Sequence, residues 1–173
     1  MNSTATKTVY LVRYGVIPEV ARFVTEADTP LARNDAVIVQ THRGEQLGTV
    51  LERERSSSKV EEIEFAILRA ATADDLARNQ VIRQRCDAAI PEWMQRIAEW
   101  ELQLELLEIE ETFDGKTVLY VMCDRGPDST KLALQAAAAG LGIIEVQPVN
   151  AEGLVPIESG GGGCGSGGCG CEH

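Results

Sequence analysis

Aromatic residues make up only 5% of this 173-residue chain, so stacking platforms for nucleic-acid bases are scarce. No apolar run approaches the roughly 18–20 residues that a membrane-spanning helix needs. The opening MNSTATKTVYLVRYG has no apolar stretch of the signal-peptide kind. A cytoplasmic protein without a membrane span is the expectation. Familiar catalytic motifs are missing as well: there is no G-x-S-x-G, no P-loop, and no G-x-G-x-x-G lying between a strand and a helix. The chain is therefore read as a non-enzyme. Cysteine is sparse, and its odd count of five in a chain with no secretion signal argues against a disulfide framework. Reduced thiols or metal ligands are the better reading.

What is present is acidic, and unevenly so. The net charge is −11. Through Arg55 there are seven basic and seven acidic residues, whereas the remainder holds nine basic against twenty acidic. Such a surface repels phosphates, which disfavours unaided nucleic-acid binding by the second part.

The first part reads as short strands. KTVYLVRYG (7–15) and EVARFVTEA (19–27) are rich in β-branched and aromatic residues and are separated by Gly15 and Pro18. DAVIVQTHRGEQLGTVLERE (35–54) reads as a hairpin turning near Arg43-Gly44, with Val37, Val39 and Thr41 on one face. Gly48 is a candidate bulge. These strands predict a small β-barrel-like module over residues 1–55, followed by a Ser56-Ser57-Ser58-Lys59 linker.

Residues 62–70 (EIEFAILRA) alternate as a strand, and Thr72 with Asp75 three positions on is a helix-start signal. Ile82, Cys86, Ile90, Trp93, Ile97 and Trp100 then recur at three or four residues, which predicts a helix with one buried face. Pro91 should kink or restart it. Asp114-Gly115 between two apolar runs predicts a hairpin with a type I′ turn, and the phase slip at Leu106-Leu107 predicts a bulge. A helix over 128–142, capped by Asp or Ser, and a strand over 143–149 complete the series. Strand, helix, strand, strand, helix, strand is the ferredoxin-like order. The expected fold is α+β: the barrel-like module, a ferredoxin-like βαββαβ module over 60–150, and a flexible Gly/Cys tail over 151–173.

That tail holds three of the five cysteines, Cys164, Cys169 and Cys171, within eight residues. Thiolates suit zinc, copper(I) or iron–sulfur clusters, and His173 or a thiolate from another chain would serve as a fourth ligand. The spacing is not the paired C-x2-C of a zinc ribbon. Glycine on every side also makes ordering a site costly in entropy. The other candidates are weaker. Cys123, beside Asp124 and Arg125 at a strand end, is a thiol whose pKa a neighbouring cation would lower. Cys86 falls on the apolar helix face and reads as core. His42 precedes Arg43, Gly44 and Glu45, but consecutive turn residues point apart instead of converging on a substrate. Glu99, Glu101, Glu105, Glu108, Glu110 and Glu111 alternate with Leu and Ile, as the solvated face of a sheet does.

Three blocks, LARNDAVIVQTHRGEQLGTVLE, LRAATADDLARNQ and ELLEIEETFDGKTVLYVMCDRGPDSTKLALQAAAAGLGIIEVQPV, together resemble the C-terminal domain family named after the yeast polymerase suppressor PSP. Its bacterial members are of the YaaT/RicT type. The similarity runs from about Val9 to Val149. It implies a regulatory adaptor that associates with small helical proteins of the YlbF and YmcA type, carries iron–sulfur clusters, and adjusts RNA processing by RNase Y. The family's C-G-x-x-x-C-C pattern is met here by Cys164 and Cys169, with Cys-Gly-Cys in place of the adjacent pair. The resemblance thus implies an iron–sulfur cluster or zinc at Cys164, Cys169 and Cys171. Two rivals stand beside it. One is direct RNA binding by Arg13, Arg22, Arg33 and Arg43; the other is thiol redox chemistry at Cys169 and Cys171.

Overall fold

The computed structural model describes residues 7–26, 30–55, 63–123 and 127–156. β1 (Thr8–Tyr14) and β2 (Glu19–Thr25) form an antiparallel pair, as do β3 (Ala36–Gln40) and β4 (Glu45–Arg53). β4 also pairs with β1. The remaining gap, between β2 and β3, is filled by β5 (Phe65–Ala70), parallel to β2 and antiparallel to β3, so the barrel closes in the order β1-β2-β5-β3-β4. Closure removes unpaired strand edges. Inside lie Tyr10, Val12, Tyr14, Phe23, Val37, Val39, Val50 and Ile67.

β5 overturns the ferredoxin-like expectation. Its alternation was legible, but its destination was not. Phe65 lies against Phe23 with ring centroids 5.3 Å apart, and against Tyr14 at 6.1 Å. Ile67 is buried among the barrel residues while Leu68 faces out. Burying these side chains in an aromatic barrel core stabilises by about 1.5–3 kcal/mol each, so the strand belongs to the barrel and the second unit lacks its first strand. That unit comprises α1 (Ala73–Glu99), β6 (Leu104–Glu111), β7 (Thr117–Cys123), α2 (Asp128–Ala138), β8 (Ile144–Asn150) and a two-residue β9 (Gly153–Leu154). It is a four-stranded sheet in the order β6-β7-β8-β9, not a βαββαβ module. Both helices contribute to one core with the sheet: Ile82, Cys86, Trp93 and Ile97 from α1, Leu132 and Ala136 from α2, against Leu106, Ile109, Leu119 and Val121.

Local signals fared better. Thr72 and Asp75 make a reciprocal capping box at the start of α1. Asp75 also accepts from Arg69 of β5 at 2.9 Å, which ties barrel to helix. That hydrogen bond is the main reason its carboxyl is held well below the usual range. Pro91 lies inside one unbroken helix, with no restart. The bulge falls between Leu106 and Glu108. The Asp114-Gly115 hairpin forms, but only Gly115 takes positive φ, at 84°. Thr112 and Lys116 close a three-residue loop (Thr112 N to Lys116 O 2.9 Å), the turn-plus-bulge alternative to type I′. The N-cap of α2 is Pro127, whose side chain has no acceptor to offer, and the Asp128 carboxylate one position on accepts from Gln103 N at 2.7 Å and Lys131 at 2.8 Å.

Gly48 is a point of close approach. The β1–β4 register shift lies elsewhere, at Leu11/Val12. A Cβ on Gly48 would stand 2.6 Å from Val12 Cγ1 and 3.3 Å from Val39 Cγ1, and both valines are stiff at χ1. Gly48→Ala should therefore destabilise by about 1–3 kcal/mol in urea unfolding. Adding Val12→Ala should recover part of that loss, and strict additivity of the two changes would show the contact to be unimportant.

A cleft and buried polar network at the barrel–sheet junction

The barrel meets the second unit at the turn between β3 and β4. Thr41 and Gly44 close that turn on each other (3.0 and 3.2 Å). The hairpin loop of β6 and β7 docks onto it: Phe113 N donates to Glu45 O at 2.8 Å, and Asp114 Oδ1 accepts from Glu45 N at 2.9 Å. Burial pushes the Asp114 carboxyl up, but hydrogen bonds from Thr112 and Glu45 outweigh it and leave the group below its ordinary value.

Behind these contacts is a buried polar chain. Thr41 Oγ1 donates to Gln46 Oε1 at 2.7 Å, and Gln46 Nε2 donates to Glu110 Oε1 at 2.8 Å. The same carboxylate oxygen accepts from Val16 N at 3.2 Å, while Glu110 Oε2 accepts from the Tyr120 hydroxyl. Burial, reinforced by Glu110, pushes the Tyr120 hydroxyl far above its normal pKa, so it stays a donor. The sheet's second face thus offers β6 and β7 side chains to the barrel.

Arg43 sits in the middle with no exposed surface at all. Its guanidinium lies 5.7 Å from the Tyr14 ring centroid and 5.9 Å from that of Tyr120, a cation flanked by two aromatic rings. Nη2 pairs with Glu19. Nε and Nη1 make no hydrogen bond among the described residues. Leaving buried donors unmatched costs about 1–3 kcal/mol each, an arrangement that native proteins keep mainly where it serves a purpose.

Arg43 also lines a cleft of about 560 Å³ together with Glu19, His42, Glu145, Gln147 and residues 154–156. That volume lies within the range of ligand sites. His42 is exposed and stacked 5.8 Å from the Phe65 ring. It stands beside Arg43 in sequence and both line the cleft, but His42 is exposed whereas Arg43 is fully buried.

The sequence candidates lie elsewhere. Cys164, Cys169, Cys171 and His173 are outside the described residues, as are Ser56-Ser57-Ser58-Lys59, Asp124 and Arg125. Among the described residues, no three His, Cys, Asp or Glu side chains are grouped to hold a metal ion. Cys86 is buried against the sheet, and burial raises its thiol pKa. Cys123 is half-buried at the end of β7. Of the four arginines of the RNA-binding reading, Arg43 is enclosed and Arg22 pairs with Glu54 at 3.0 Å. Sequence reading offered Arg43 only among four RNA-binding arginines and missed its burial, because a turn arginine next to glycine ordinarily faces water. The acidic run is likewise split: Glu110 is buried, Glu108 and Glu111 pair with Arg83 and Arg85 of α1, and Glu105 faces solvent.

A second surface is apolar. α2 turns Leu134, Ala137 and Ala138 outward at i, i+3 and i+4, and Ile143 follows with 96% of its surface exposed. No charged residue occurs between Lys131 and Glu145.

Comparison with known proteins gives no match: no family model, no curated protein and no solved structure. Among the described residues, no helix is long and apolar enough to cross a membrane.

Proposed function

We propose that this chain is a regulatory adaptor that works through protein–protein contacts. The observation that carries the reading is the outer face of α2 with Ile143: an exposed, uncharged apolar strip on a protein of net charge −11. Exposed apolar patches rimmed by charge mark contact surfaces, and a helix face with anchors at i, i+3 and i+4 suits a partner helix. Small helical proteins of the YlbF and YmcA type, which the family resemblance implies, are the partners proposed for it. The same resemblance extends the proposal to control of RNA processing by RNase Y, and to a metal or iron–sulfur cluster at Cys164, Cys169 and Cys171. Anaerobic purification with visible absorption and metal analysis tests that last element.

Leu134→Glu/Ile143→Glu tests the surface. Both side chains are exposed, so thermal unfolding should change little. Affinity for the helical partners, measured by titration calorimetry, should fall about tenfold or more, the loss expected for an apolar anchor. Unchanged affinity, or no binding by the parent protein, would remove the proposal.

A further inference from the structure

The junction cleft combines three features that the adaptor surface on α2 does not explain. The first is Arg43, fully buried, with Nε and Nη1 unmatched. Glu19 holds Nη2, the nitrogen common to both forks of a guanidinium, so one unmatched donor nitrogen remains on each side of it. The second is Glu145, a half-buried carboxylate on the cleft wall with no ion-pair partner among the described residues. The third is β8 itself. It pairs with β7 from Ile144 to Val149, whereas on its other side β9 reaches only Val149 and Asn150. Among the described residues, the outer edge of β8 from Ile144 to Gln147 has no strand beside it.

We infer that this cleft receives an extended, basic segment of a partner protein, laid along the free part of β8. A lysine or arginine side chain of the segment meets Glu145, and one of its backbone carbonyls accepts from Arg43. A polyanion does not fit, because Glu19 and Glu145 both line the cleft and the whole chain is strongly acidic. An apolar ligand does not fit either, since it leaves the buried guanidinium unmatched. A basic segment satisfies both groups at once: its cation faces the carboxylate, and its peptide supplies the acceptor. Strand addition to a free edge is a general mode of peptide recognition.

Residues 154–156 occupy the neighbouring position. Leu154 pairs with Val149, Val155 N donates to Pro148 O at 3.0 Å, and Gln147 Nε2 donates to Val155 O at 2.7 Å. A strand of two residues is the kind of element that opens locally at small free-energy cost. These residues line the same cleft as Arg43, and their displacement widens the approach of an incoming carbonyl to it.

This inference rests on the reading that the chain works through protein contacts, but it uses a different surface. The test is a titration of the full chain with short N-acetylated, C-amidated peptides carrying one lysine. Matched peptides with norleucine in its place serve as controls, and the Arg43 Nε–H is followed by nuclear magnetic resonance. The expected result is a saturable shift of that resonance, with binding about tenfold weaker for the norleucine peptide and for Glu145→Gln. The norleucine comparison leaves the protein unaltered, so it holds even if the Glu145 variant folds poorly. No shift at millimolar peptide, or equal binding of both peptides, overturns the inference. Stronger binding of inorganic phosphate than of the lysine peptide also overturns it. Leu134→Glu/Ile143→Glu should leave the peptide affinity intact. If the helical partners bind through α2 while the peptides fail, only the cleft inference falls.

Discussion

Arg43→Ala should destabilise the protein by about 3–5 kcal/mol, the loss typical of breaking a buried charge arrangement from one side. The alanine leaves a void between the Tyr14 and Tyr120 rings and removes the fully buried cation between them. Glu19 is partly exposed and can turn back to water. Glu110 cannot: it is 8% exposed and remains in place, held by Gln46, Val16 and Tyr120. Those donors are neutral, and a buried carboxylate needs compensation that dipoles alone supply incompletely. Arg43→Met restores most of the volume without the charge, so it should lie between Ala and the parent. Urea unfolding followed by circular dichroism measures both. A loss under about 1 kcal/mol for Arg43→Ala would mean that the network does not hold the two units together.

Gly44→Ala should have the next largest effect, about 2–4 kcal/mol, from two sources that act together. Gly44 has φ of 132°, a conformation that L side chains rarely adopt. A Cβ there would also stand 2.4 Å from Asp114 Oδ1. Asp114 would have to turn away, releasing Glu45 N and loosening the hairpin loop that docks on the barrel. The turn and the interface thus fail at one residue. Asp114→Ala alone removes the obstruction and the hydrogen bond but leaves the backbone conformation. Gly44→Ala should therefore remain harmful in an Asp114→Ala background, by the strain component of about 1–3 kcal/mol. Additivity of the two changes would show that the close approach contributes nothing.

The cleft has the same origin as these effects, because both follow from how the two units meet. Where a barrel turn inserts an arginine beneath a sheet, the sheet must present acceptors. Here the barrel's own Glu19 accepts from one guanidinium nitrogen and the sheet offers the Tyr120 ring, while the remaining donors stay buried and unmatched beside the cleft. Stability and recognition are therefore coupled at Arg43. A substitution there should lower both, whereas Glu145→Gln should lower recognition alone.

Some of this was legible residue by residue. The Thr72–Asp75 capping box, the burial of Cys86, the hairpin at Asp114-Gly115 and the bulge near Leu106 are set by neighbours within a few positions. Backbone φ preference, hydrogen-bond reach and helical periodicity act over that range, and so the amino-acid sequence by itself determined them. Three things were decided only in the tertiary structure. β5 could pair with either sheet as far as its alternation goes, and the aromatic cluster of Tyr14, Phe23 and Phe65 placed it in the barrel. Arg43 became a buried residue because a loop 70 positions later folded over its turn. Glu110, one of six similar glutamates, became an interior acceptor for the same reason. Strand pairing and the pairing of charges across a junction depend on which surfaces are left to bury once each unit has formed, and local pattern carries no record of that.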